Sequence, residues 1–217
     1  MAGVRGLAAT AALAFGLSLP AGDGRADDIN VPMWEGVIKT AIQLDADKKF
    51  IDDVRSATGG NMELGVRRAI QLGWHYIALN DPNTALKRFN QAWLIDPKCP
   101  DAYWGFAVAM AQKAAPLPTV ERLFAMAERL KPDDPSLLSD HGRVLQQRGE
   151  NERAVTYFLK ALEINKDHRD AHVGMMFASM AMGQMLLADK HRRIAASLSG
   201  GGPVITIPDP ASLEPAR

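Results

Sequence analysis

Apolar residues recur three and four positions apart over most of the chain. Leu72, Tyr76 and Leu79 share one helical face, and Ala85, Phe89 and Ala92 share another. Breaks fall at two kinds of place. Asp81-Pro82, Gly149-Glu150-Asn151 and Gly183 mark tight turns, whereas Asp96-Pro97 and Lys131-Pro132 mark wider joints. The pattern predicts helices in pairs. Gly73 opposite Ala85, and Gly142 opposite Ala154, supply the small residues that closely packed helices need. Upstream, Ala46 to Thr58 carries Phe50, Ile51 and Val54 on one face and predicts a further helix, which Gly59-Gly60 separates from the pairs and which caps the open end of the stack.

Pro97, Pro132 and Lys166 end successive units at spacings of 35 and 34 residues. A period of this size points to a repeat architecture. In the first unit, Leu72, Gly73, Tyr76, Ala85, Phe89, Ala92 and Pro97 fill the L-G-x2-Y…A-x3-F-x2-A-x4-P pattern, and only Ala69 departs from it. The second keeps Phe124, Ala127 and Pro132, with an extra residue in its turn around Ala115 to Pro118. The third keeps Gly142, Ala154, Phe158 and Ala161, with His141 in an apolar slot, and the fourth keeps Gly183, Ala188 and Ala195. Residues 66 to about 198 therefore resemble the tetratricopeptide repeat (TPR) superfamily. The resemblance implies an all-α fold, a right-handed α-solenoid of antiparallel helix pairs with three clear units and a degenerate fourth. Stacking would bury the apolar face that a single unit leaves open.

The ends read differently. Arg5 precedes the uncharged run Leu7 to Leu19, followed by Pro20 and the small residues Ala21, Gly22, Gly24 and Ala26. That order is a secretory signal cleaved after Ala26, with an uncleaved anchor as the alternative. The reading gives a signal peptide over 1–26, an N-terminal segment with the capping helix over 27–60, the repeat domain over 61–198 and a tail over 199–217. The expected location is periplasmic or secreted, with no integral span after cleavage. The tail holds four prolines and three consecutive glycines, and is read as disordered or as a strap docking through Val204, Ile205 and Ile207.

Charge changes the picture by exclusion. The 217 residues carry 25 basic and 25 acidic side chains, and loss of Arg5, Arg25 and Asp23 with the signal keeps the chain nearly neutral. Bulk electrostatics therefore recruits no nucleic acid. The single cysteine, Cys99, rules out an internal disulfide and a multi-cysteine metal site. It is expected to be partly exposed, as an incidental or a redox thiol. No elbow, phosphate loop or zinc-protease motif occurs, so the chain reads as non-enzymatic and without cofactor. His168 and His172, with Asp170 between them, and the run Met175, Met176, Met180, Met182 and Met185 leave open a small-ligand or metal-binding alternative. His168 is expected to precede the helix that carries His172.

In the TPR superfamily the first helices of successive units line a concave groove that receives a peptide or helix, so the resemblance implies a protein partner. Helical spacing puts Arg67, Ile70, Trp74, Ile77, Trp104, Val108, Arg143, Gln147, Phe177 and Met180 there. The subclass that grips a C-terminal carboxylate needs Lys and Asn where this chain has Ile70, Trp74 and Gly105. That reading fails. Trp74 and Trp104 are the expected anchors and Arg143 the expected partner of an acid. Filling of the groove by the chain's own Val31, Met33 and Trp34, or by its tail, remains the competing expectation.

Overall fold

The computed structural model describes residues 31–34 and 38–198. Its described residues form nine α-helices and one 3-10 turn at Pro32–Trp34. The expected signal segment and tail lie outside them. The helices are α1 (Ala41–Ala57), α2 (Met62–Ala78), α3 (Pro82–Ile95), α4 (Pro100–Gln112), α5 (Leu117–Leu130), α6 (Pro135–Gln147), α7 (Asn151–Ile164), α8 (Arg169–Ala181) and α9 (Met185–Ser197). From α2 onward they pack as four antiparallel pairs, and each second helix through α7 also packs on the first helix of the next pair. The first helices α2, α4, α6 and α8 touch in succession and form one layer of an all-α solenoid.

Local chemistry starts and stops these helices. Asp81, Asp134 and Asn61 accept hydrogen bonds from backbone N–H groups of the first turns of α3, α6 and α2, while Pro82, Pro100 and Pro135 occupy first helical positions where no donor is required. All four turns inside the pairs close in one way. A left-handed residue, Asn80, Ala114, Gly149 or Gly183, is followed by an N–H that reaches back to the last helical turn, as from Asp81 to Tyr76 O at 2.9 Å and from Ala115 to Met110 O at 3.0 Å. Ala114 alone of the four is neither Gly nor Asn, and its φ of 56° crowds its Cβ. Ala114→Gly is expected to stabilise the chain by about 1 kcal/mol, read as a higher urea midpoint; an unchanged or lower midpoint would contradict strain at this turn.

The α1 helix begins at Ala41, five residues before the sequence pattern puts it. Thr40 and Gln43 form a capping box that starts it, although Ile42 within the box is 74% exposed. Phe50 and Val54 of α1 cover the apolar end of the stack next to Gly65. Val31 and Met33 do not enter the inner layer. They lie against α3, where buried Asn90 receives the Met33 N–H at 2.7 Å and donates to the Val31 carbonyl at 2.8 Å.

The core is keyed by phenylalanine. Phe89 of α3 lies between Gly73 of its own unit and Gly105 of the next, and a Cβ on either glycine would come within 2.3 Å of the ring. Phe158 of α7 sits in the same way between Gly142 and Gly174. The middle joint differs. Phe124 of α5 stacks on His141 with centroids 4.4 Å apart, while His141 Nδ1 lies 2.6 Å from Glu128, which explains how an imidazole fills an apolar slot.

Candidate functional site

The α2, α4, α6 and α8 layer holds two joined cavities. The first, about 350 Å3, is lined by Trp74, Trp104, Ser136, Ser139, Asp140, His168 and Asp170. The second, about 460 Å3, shares Ser139, Asp140 and Asp170 and continues along Arg143, Gln146, Gln147, Val173, Gly174 and Phe177. Together they form one groove lined from all four units.

Both indoles are half-buried in its wall. Trp74 and Trp104 meet edge to face with centroids 4.9 Å apart, and Trp74 also meets the Phe89 ring at 5.5 Å, so the groove wall is continuous with the core. Trp104 Nε1–H donates to Asp140 Oδ2 at 2.9 Å, and the Arg143 guanidinium donates to Asp140 Oδ1 at 2.7 Å. Arg143 was expected to meet an acid on a partner. This chain's own Asp140, three residues earlier on the same helical face, engages it, and the Arg143 side chain stays 52% exposed. Burial pushes the Asp140 carboxyl up, Arg143 and the Trp104 N–H pull it back, and the charge of Asp170 adds to the rise.

The other expected groove residues divide. Gln147 and Phe177 line the second cavity, and Phe177 is 43% exposed. Ile70 and Ile77 are half-buried against the core beside α4, and the Ile77 carbonyl accepts a hydrogen bond from Gln112. Arg67 is exposed beside Glu63, and Met180 is half-buried. Val108 requires correction. At 4% exposure it belongs to the core, because α4 is enclosed by α2, α3, α5 and α6 and keeps little open face. Asp140 and His168 are lining residues that slot counting omitted. The available signal was repeat geometry, since Asp140 stands one unit and one slot beyond Trp104.

His168 and His172 serve different places. His168 caps α8, its Nδ1 accepting from Ala171 N–H and its Nε2 facing Ser136 Oγ at 3.1 Å. His172 is buried, with Nδ1 2.9 Å from Nδ1 of buried His191 and Nε2 2.9 Å from the Lys166 carbonyl. The pair on which the metal-binding alternative relied is therefore not assembled from these two side chains. Met175 and Met176 are core residues and Met180, Met182 and Met185 are half-buried, so the methionines do not share one surface. Among the described residues, no group of three or more His, Cys, Asp or Glu is placed to hold a metal. Cys99 also corrects the expectation of partial exposure. It is 5% exposed at the start of α4, and burial pushes its thiol up, away from the reactive thiolate.

No family model matches the chain, and no curated protein sequence matches it. Solved structures do. A Pseudomonas aeruginosa PilF structure superposes with a TM-score of 0.58 at 19% identity over 64% of this chain, and the match spans 63% of the PilF chain. Two MamA crystal structures superpose at TM-scores of 0.52 and 0.51 with 18% identity, covering 76% and 81% of this chain and 96% and 92% of theirs. Among the described residues no helix is long and apolar enough to cross a membrane. The likeness concerns architecture, and this chain has the fold of the tetratricopeptide-repeat solenoids.

Proposed function

We propose that this chain is an exported, non-enzymatic scaffold whose inner groove receives a segment of a partner protein during assembly or organisation of an envelope complex. The observation that carries the reading is the pair of half-buried indoles in a groove lined from all four units. Aromatic side chains in a preformed concavity are the usual anchors of protein interfaces. The apolar run Leu7 to Leu19 with its small-residue cleavage site supports export. Val31 and Met33 dock on α3 and not on the indoles, which supports an external occupant over those two residues.

The test is photocrosslinking in the exporting cell from position 177, compared between the parent and the Trp74→Ala/Trp104→Ala chain. Capture is expected to fall tenfold or more while helical circular dichroism is retained, on the order of what one interface anchor contributes. Equal capture by both folded chains would sink the groove reading.

A further inference from the structure

The two sides of the groove differ in electrical balance. Among the described residues, the wall of the first cavity carries two carboxylates, Asp140 and Asp170, and no Lys or Arg. His168 Nδ1 accepts the Ala171 N–H. Arg143 stands beyond Asp140 in the second cavity and is bound to the far oxygen of that carboxylate. Asp170 is largely exposed, and its ion pair within the chain is with the adjacent Arg169 at 3.4 Å. The same cavity is lined by the Trp74 and Trp104 indoles, the aromatic rings that attract a cation most strongly. Donation of the Trp104 N–H to Asp140 places negative charge at the rim of that ring and enriches its π face.

We propose that this cavity seats a lysine or arginine side chain of the partner segment, with an apolar residue of the same segment packed on Val173 and Phe177. The inference rests on the groove reading above and specifies its partner. A guest cation between Asp140 and Asp170 relieves the repulsion that now adds to burial in raising the Asp140 carboxyl. The source is a polypeptide, because the cavity shares Ser139, Asp140 and Asp170 with the second one, lined by Val173 and Phe177, and the joined space suits a chain and is not filled by an isolated ion.

Random peptides displayed on phage and panned against the purified full chain test this directly. Enriched sequences are expected to share a Lys or Arg with an apolar residue a few positions away. In a synthetic copy, citrulline for Arg or acetyl-lysine for Lys should weaken binding about tenfold. Asp170→Asn, an exposed change outside the core, should weaken the basic peptide about threefold and leave the neutralised one unaffected. The indole 15N–1H resonance of Trp104 should move on binding.

Enrichment without a shared basic residue, or equal binding of the neutralised peptide, overturns the cation seat while the groove reading stands. Indifference of the basic peptide to Asp170→Asn does the same. Tetramethylammonium chloride moving the Trp104 resonance as far as the peptide does, at equal concentration, would make the site one for small cations and overturn the polypeptide source. Peptides that bind without moving that resonance, and equally well to Trp104→Phe, overturn both readings, as does failure of any peptide to enrich.

Discussion

Phe89→Ala is expected to cost about 3–5 kcal/mol of stability. The ring is fully buried and belongs to two units at once, so its removal opens a void at the joint between α2, α3 and α4. The partner change sharpens the test. Gly105→Ala alone should cost about 1–3 kcal/mol, because the new Cβ falls 2.3 Å from the Phe89 ring and neither helix can retreat without disturbing the next pair. In the Phe89→Ala background the same methyl enters the void and gains the helix propensity that alanine has over glycine, about 1 kcal/mol. The sign of the Gly105→Ala effect should therefore reverse. Urea unfolding of the four proteins in the cycle measures it, and simple additivity would show that the ring and the glycine are not coupled.

Acidification should weaken the last pair of helices. Burial holds His191 at a pKa of about 4, below its ordinary 6.5, and nearby His172 and Lys190 add to the depression. His172 uses its Nε2–H on the Lys166 carbonyl, so its Nδ1 accepts the Nδ1–H of His191. Between pH 6.5 and 4 the unfolded chain binds more protons than the folded one. The stabilisation is thus complete above about pH 6.5 and is lost as pH falls toward 4, on the order of 2 kcal/mol after allowance for solvent screening near the end of the stack. Urea unfolding at several pH values should show this slope in the parent and a slope flatter by that amount in His191→Leu. Equal slopes would mean that the imidazole pair carries no linkage.

How far the sequence discloses the molecule depends on whether a property is local or shared between units. The register of the units was legible because Leu72-Gly73, Tyr76, Ala85, Phe89 and Pro97 each answer a local demand for a close approach, an apolar face or a stop. The start of α1 was not, since Ile42 and Leu44 are exposed and give the apolar periodicity no reason to include them. The Thr40/Gln43 capping box held that information instead. The positions of Trp74, Trp104, Gln147 and Phe177 along the inner layer follow from helical spacing alone. The fates of Val108 and Arg143 do not. One depends on how closely neighbouring units surround α4, and the other on Asp140, whose importance emerges only when α4 and α6 are laid side by side. Cys99 escaped for a related reason: a turn rich in proline resembles a surface loop until the next unit covers it.

The clasped rings bear on how such a chain can grow or be rebuilt. The joints after Phe89 and Phe158 each demand a successor with glycine at its sixth position, met by Gly105 and Gly174, whereas the joint after Phe124 is followed by Asp140 at that position. The modules are therefore not interchangeable bricks. Exchanging the second and third would thrust a carboxylate toward a phenyl ring and leave the other seam without its imidazole stack. The single seam that dispenses with glycine is also the one that lends the groove its acid, so copying or reshuffling modules would rewrite assembly order and recognition together.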